Sequence, residues 1–433
     1  MSALPNLINY QEGLSVLPEN TTNFNVSCVP VSGSSFGPSS QIQVDLGNRG
    51  FLDPASIVIK YKLNLTVAVN ADVAQIPATP VYVPFLRLET LVNSMTVETI
   101  NNYSTVANML TNLQLSVADK YGQQFPYGYF NTDSTASALN TNLDGYVGPV
   151  ALAASPLALS LSAPLYGMLS GSEKLIPLFL LNNIRLQFTL DTLANIQTAI
   201  AANVKITNYT ISNFEICYNM IDFGAEVQRD IIMMNPKLRI KTQSYSTGVQ
   251  TLNINSSGAV NLVYNQRFAS VKSAYLSMGG GDAAKSANRM FDSYDITSNN
   301  GDYTLQIGSV NYPQKALSTT NNKGGILQEL RRSMNTIFGN TVAMSINTPE
   351  FSYISTDTTS ITQPAKFWVG FNLQKLTVPS KAFFTGVSTQ NSPISAVINI
   401  GTQTSQIHTV MLILNYDAII EIDPSTKQCV IIQ

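Results

Sequence analysis

Apolar and polar residues alternate along much of this chain at a spacing of two. In Ser56–Val67 (SIVIKYKLNLTV) β-branched and aromatic residues recur with that period, the signature of a half-buried strand. Comparable runs occupy Asn183–Leu190, Tyr209–Tyr218, Gln250–Ile254, Phe268–Met278, Tyr303–Ile307, Phe367–Val378, Ser395–Ile400 and Thr409–Ile422. Stretches rich in Gly, Pro, Asn and Ser separate them, so the pattern predicts short strands joined by turns, as in sandwiches and barrels. Two segments instead carry the three- and four-residue spacing of an amphipathic helix. In Tyr103–Tyr121 the face is Tyr103, Val106, Leu110, Leu113 and Val117. In Gly325–Phe338 it is Ile326, Leu327, Leu330, Met334, Ile337 and Phe338, with Gly339 as a stop. Thr192–Ala202 fits either helix or loop.

The two helices expose a repeat. Met95–Ile100 and a polar turn precede the first, and Tyr303–Ile307 precedes the second. Each is followed by further strands and then by a closing apolar strand with a Tyr and an Asp. These are Ile211–Phe223 (Tyr218, Asp222) and Val410–Asp423 (Tyr416, Asp417). A period this long predicts a duplicated domain rather than a solenoid unit. The expected divisions are an extended arm at 1–40, a first domain at 41–225, a linker at 226–239 and a second domain with a C-terminal tail at 240–433.

Composition then narrows the class. A chain of 433 residues has room for two or three domains of roughly 150 to 200 residues, each able to bury a core without staples. Only 12% of residues are charged, against about 25% in a typical soluble domain. Asn, Thr, Ser and Gln take their place, a surface that is cheap to desolvate in large permanent contacts. Net charge is −2, and the first forty residues hold Glu12 and Glu19 but no Lys or Arg. A basic arm for condensing nucleic acid is therefore absent, and no sequence-specific nucleic-acid binding is expected. Cys28, Cys217 and Cys429 are scattered and odd in number, neither a disulfide framework nor a metal pattern. The N-terminus lacks a basic and apolar leader, and apolar runs such as Ile176–Leu181 fall short of the ~20 residues of a membrane span. Synthesis as a soluble intracellular chain is the expectation.

On these elements the chain resembles the double jelly-roll major capsid proteins, the lineage of adenovirus hexon, tectivirus-type phages, virophages and polinton-like elements. The resemblance is carried by Met95–Leu110 (MTVETINNYSTVANML), Ile176–Leu190, Ile211–Phe223 (ISNFEICYNMIDF), Gly308–Leu317 (GSVNYPQKAL) and the strand Val410–Ile422. It implies an all-β fold of two consecutive eight-stranded jelly-roll barrels with short helices inserted between strands. It also implies a structural, non-enzymatic role: a homotrimer whose six barrels imitate a hexagon and tile an icosahedral shell in the virion. The partners implied are other copies of the chain, penton and minor capsid proteins, and an internal membrane beneath the shell. No cofactor is implied. The arm at 1–40, with Pro5, Pro18, Pro30 and Pro38, is expected to lie under the shell.

Candidate chemistry is sparse. Any Ser/His/Asp or Cys/His arrangement must use the single histidine, His408, and no Gly-x-Ser-x-Gly elbow accompanies it. Asp282, Asp292, Asp295 and Asp302 gather around Gly279-Gly280-Gly281 and could offer oxygens to calcium. They lack EF-hand spacing, and Lys285 and Arg289 lie among them, so the stretch reads as a solvated loop. The triple glycine lacks the Gly-Lys-Ser/Thr of a phosphate loop. Arg331-Arg332 read as an exposed helix face, Trp368 as core. The Asn-x-Ser/Thr sequons at Asn20, Asn25, Asn64, Asn102, Asn208 and Asn255 are what an Asn- and Thr-rich composition produces. No catalytic, cofactor or metal residue is assigned. The competing reading is a carbohydrate- or receptor-binding β-sandwich of a viral spike or fibre, for which Phe125–Phe130 (FPYGYF) is the one aromatic candidate.

Overall fold

A computed structural model describes residues 21–67, 81–122, 124–128, 157–181, 183–196, 206–254, 257–281, 293–320, 323–334, 344–346, 348–352, 354, 365–375, 384–401 and 406–433. In the first half the strands are β1 (Thr22–Cys28), β2 (Ser35–Phe36), β3 (Gln41–Leu46), β4 (Phe51–Leu52), β5 (Val58–Val67), β6 (Phe85–Val92), β7 (Met95–Asn101), β8 (Leu157–Pro164), β9 (Ile176–Pro177), β10 (Ile184–Leu190) and β11 (Ile206–Asp222). One sheet runs β8-β5-β11-β4-β9, with β1 and β2 also paired to β11; the other runs β3-β10-β6-β7. In the second half the strands are β12 (Leu238–Ile254), β13 (Gly258–Tyr264), β14 (Val271–Gly281), β15 (Gly301–Ile307), β16 (Val310–Ser318), β17 (Trp368–Asn372), β18 (Ile394–Ile400), β19 (Gln406–Asp423) and β20 (Gln428–Ile432). They form the sheets β12-β19-β14-β17, with β20 also on β19, and β13-β18-β15-β16.

The two halves share one strand order. A long closing strand, β11 or β19, lies between the strands that open the unit and a central strand, β5 or β14. Opposite it, an edge strand, β7 or β16, leads into an inserted helix, Tyr103–Gln114 or Gly324–Ser333. Period-two patterning builds each core. In β10 Ile184, Leu186, Phe188 and Leu190 are buried while Arg185, Gln187 and Thr189 face partly outward. Phe188, Phe85, Tyr61 and Phe214 meet with ring centroids 5.2–6.2 Å apart. In the second half Phe268 stacks on Tyr416 at 3.9 Å.

Several boundaries differ from the sequence expectation, each for a local reason. The strand ahead of the second helix is β16, not Tyr303–Ile307; the hairpin at Gly308-Ser309 inserts one more strand, just as Asn93-Ser94 does between β6 and β7. Residues 22–28 and 35–36, expected in the arm, pair with β11, because Phe24, Val26 and Cys28 alternate along TNFNVSC. β12 begins at Leu238 and runs through a stretch without apolar alternation, since polar Thr242 and Ser244 take inward positions there. The helix from Tyr103 stops at Gln114, and a new one, Val117–Gly122, follows. Ser116 and Asp119 exchange hydrogen bonds at its start: the Ser116 N–H donates to Asp119 Oδ2 (3.1 Å) and the Asp119 N–H to Ser116 Oγ (3.0 Å). Only Leu193–Ile196 of the ambiguous Thr192–Ala202 is a described helix, and Asn335–Phe338 lie outside the described residues. The stretch between the halves holds a helix, Ala225–Met234, with no buried residue; Gly224, at φ 87°, turns the chain into it.

Candidate assembly interface

The two halves meet along an edge of each. β7 and the turn at 165–173 of the first half face β12 of the second, and the contact is polar. Glu98 of β7 is its centre. It lies opposite Thr90 of β6, on the same face of β7 as the buried Ile100. Its carboxylate accepts from Thr90 Oγ1 (2.7 Å), from the Met168 N–H (2.7 Å) and from Ser244 Oγ across the joint. Thr242 Oγ1 donates to the Met168 carbonyl, and Thr247 Oγ1 to the Asn101 carbonyl (3.0 Å). At the margin the Glu173 N–H reaches the Lys241 carbonyl (3.2 Å), and Lys241 Nζ lies 3.4 Å from Glu173. Gly171 permits this approach: a Cβ there would stand 2.6 Å from the Gln243 carbonyl oxygen. Further along, Ser345 donates twice to the Asn112 carbonyl and Asn93 Nδ2 to the Lys427 carbonyl (3.1 Å).

Electrostatically the centre of the joint, unlike its margin, holds no cation beside its acid. Among the described residues no Lys, Arg or His pairs with Glu98; the titratable side chains facing it are Tyr103, Tyr245 and Tyr416. Burial raises its pKa above the ordinary carboxylate range, and the bonds from Ser244, Thr90 and Met168 only partly oppose that. Sequence reasoning passed over Glu98. The available signal was an acid at an inward position of an alternating strand, two residues before Ile100.

The residues singled out by sequence are dispersed. His408 is buried on β19 between Leu252 of β12 and Gly280 of β14; neither ring nitrogen has a hydrogen-bond partner among the described residues. Burial lowers its pKa to about 4, so the ring is neutral at physiological pH. Asp295 is not a loop ligand but a closed node. It is buried, pairs with Lys323 at 2.9 Å and accepts from Thr297 and Tyr303. Asp302 sits on β15, whereas Asp282 and Asp292 lie outside the described residues. Gly279–Gly281 end β14. Trp368 is buried and donates to Ser277 Oγ, Cys217 is buried, and Arg331 and Arg332 are exposed. Of the sequons, Asn25, Asn64 and Asn208 stand on strands and Asn102 opens the first helix; Asn20 and Asn255 are outside the described residues. In the aromatic stretch Tyr127 is buried against Tyr82, while Tyr129 and Phe130 lie outside the described residues. A cavity of about 690 Å³ opens beside the second helix, lined by Asn299, Thr319, Lys323, Leu327 and Phe351, but Lys323 is already committed to Asp295. Among the described residues no three His, Cys, Asp or Glu side chains gather as a metal site, and no helix is long and apolar enough to cross a membrane.

No protein-family model and no curated protein matches the chain. Solved structures do. The PBCV-1 protein VP54, fitted into a reconstruction of the virophage Sputnik, superposes with a TM-score of 0.60 at 9% identity, covering 98% of both chains. The Faustovirus major capsid protein gives 0.61 at 10% identity over 95% of this chain and 92% of that one. The mavirus major capsid protein gives 0.52 at 10% identity over 100% and 95%. This chain has the double jelly-roll fold. The likeness runs nearly end to end, so both jelly rolls and their relative placement are matched together. At such identity it is the architecture that is shared, with the side chains of the joint free to differ.

Proposed function

We propose that this double jelly-roll chain is a viral major capsid protein, a structural component of the virion with no catalytic role. The observation that carries the reading is the duplicated strand order with a desolvated joint between the copies. Two similar barrels held at a set angle are what a three-copy, six-cornered block needs, and end-to-end likeness to capsid proteins supports it. Barrels suit a shell because most of their backbone groups are paired within the sheets, leaving association to chosen side-chain patches. In this reading the chain forms homotrimers that tile an icosahedral surface and meet penton and minor proteins, with an internal membrane beneath. The first barrel extends over 41–225, joined by strands β1 and β2 from the arm, the second over 240–433, and 226–239 links them.

Electron microscopy of the purified protein, with its mass measured in solution, tests this. Trimers of about three times 47.0 kDa with a pseudo-six-fold outline are expected. A monomer that binds glycans would instead favour a spike or fibre protein.

A further inference from the structure

Asp417, the acid of the second closing strand, stands outside the network around Glu98, and its own neighbours are placed for chemistry. β12 and β14 flank β19 on opposite sides. Gln243 of β12 lies opposite Asp417, and the pairing of β14 with β19 breaks register at Lys272. A break of this kind re-aims a side chain. Lys272 Nζ reaches Gln243 and donates to its Oε1 at 2.9 Å, so the amine stands one bond from the amide carbon. Asp417 is buried beside them. Its Oδ2 accepts from Ser270 Oγ (2.8 Å) and from the Thr385 N–H (3.2 Å). Its Oδ1 accepts no hydrogen bond among the described residues and lies 3.8 Å from Lys272 Nζ. A simple ion pair would seat the amine on that oxygen. Here the amine turns to the amide, and a buried carboxylate oxygen is left within reach of it.

Burial lowers the Lys272 pKa; Lys241 pushes the same way, while Asp417 and Glu173 oppose it. The neutral, nucleophilic amine is therefore easier to reach than on an exposed lysine. Beside Gln243 opens a cavity of about 240 Å³, lined also by Gln114, Ser170, Gly171 and Tyr245, with room for a small leaving group to depart. We propose that Lys272 and Gln243 join in an isopeptide bond that the chain forms on itself, with Asp417 carrying the proton. Lys272 passes a proton to Asp417 Oδ1, and the freed lone pair on Nζ attacks Gln243 Cδ. As the tetrahedral centre collapses, Asp417 delivers the proton to Nε2, the Cδ–Nε2 bond breaks and ammonia leaves. The new amide nitrogen gives its surplus proton to Asp417, which hands it to the ammonia, so ammonium is the second product. No oxidant, reductant or co-reactant is consumed. The bond staples β12, the strand that meets the first barrel, to β14 across β19. It forms once per chain and adds a covalent fastening to the structural role proposed above.

Intact-mass measurement of the full chain, followed by tryptic mapping, tests the bond. The unsubstituted protein is expected to be lighter than its sequence by one ammonia. Its digest should hold a branched peptide that joins Gln243 to Lys272, with cleavage after Lys272 lost. Ammonia loss at Asn300-Gly301 gives no branch and is told apart in the same map. Lys272→Arg and Asp417→Asn, each checked for folding by circular dichroism, are expected to keep the full sequence mass at this site. The guanidinium does not attack an amide, and without the carboxylate the amine keeps its proton. Unsubstituted protein with no branched peptide overturns the proposal. So does a folded Asp417→Asn chain that still carries the branch. Should Asp417→Asn fail to fold, the unsubstituted protein and Lys272→Arg decide the matter between them.

Discussion

Glu98 and His408 are both buried ionisable side chains, yet they respond to pH in opposite senses. Glu98 accepts three hydrogen bonds, has no cationic partner, and burial raises its pKa. A raised carboxyl pKa gives a stabilising contribution that is complete below the unfolded-state value of about 4.3 and fades as pH climbs through the folded value. Melting temperatures of wild type and Glu98→Gln, compared from about pH 4 to pH 8, should therefore diverge in favour of the variant toward the alkaline end. A constant difference would refute the assignment. Glu98→Ala should cost about 2–4 kcal/mol, because it strands the hydroxyls of Thr90 and Ser244 and the Met168 N–H in a dry joint. His408 behaves the other way: with its pKa lowered to about 4, folding favours the neutral ring. Its contribution is complete above the unfolded value of about 6.5 and disappears as pH falls through the folded one. His408→Leu, which also removes two unpartnered nitrogens, should gain in relative melting temperature as pH is lowered through that window. Rarity drew attention to His408 in the sequence. Glu98 had no such flag, since its significance arises only when Ser244 is folded against it.

At the scale of elements, β10 and β15, each with one apolar face, were legible from their alternation, whereas β3 and β6 alternate similarly and were passed over because they are short runs among turn residues. The first part of β12 was missed because polar residues take its inward positions, and β1 because its alternating face stays largely exposed. The break at Ser116 was written in the chain as Ser-x-x-Asp, but the apolar helix face continued to Val117 and masked it. Fastening between elements was not legible at all. Lys323, at the start of the second helix, reaches Asp295, which in turn holds Thr297 of the following turn and Tyr303 of β15. Removing the cation leaves a carboxylate buried without its counter-charge. Lys323→Ala should lower unfolding free energy by about 3–5 kcal/mol. A denaturant midpoint that moves by less than about 1 kcal/mol equivalent would show that the remaining hydrogen bonds suffice.

For the molecule as a whole, duplication could be read from the order of elements, whereas the joint could not. Its partners are separated by 146 residues in the Glu98–Ser244 case, and periodicity carries no information over such a distance. The low charge of the chain does bear on assembly. Residues 21–44, which hold β1 and β2, contain no charged side chain, and β16 contributes only Lys315. In the trimers proposed above, contacts through such uncharged surfaces are nearly blind to ionic screening. Trimer dissociation, followed by light scattering, should shift less than about threefold between 0.1 M and 0.5 M salt. A strong weakening with salt would mean that ion pairs elsewhere hold the copies together.

The pairing of β1 with β11 also sets an order of events during synthesis. Ser27 meets Glu215 across 188 residues, so the first described strand of this barrel must wait for one of its last pieces. β12 waits similarly for β19, with Leu238 opposite Ile422. Neither barrel can close from its beginning onward; each stays an open sheet until its final strand arrives, and long loop closure of this kind makes for slow folding. Newly made chains therefore pass through a stage with unpaired edges, in which crowding with other nascent copies favours mispairing over closure.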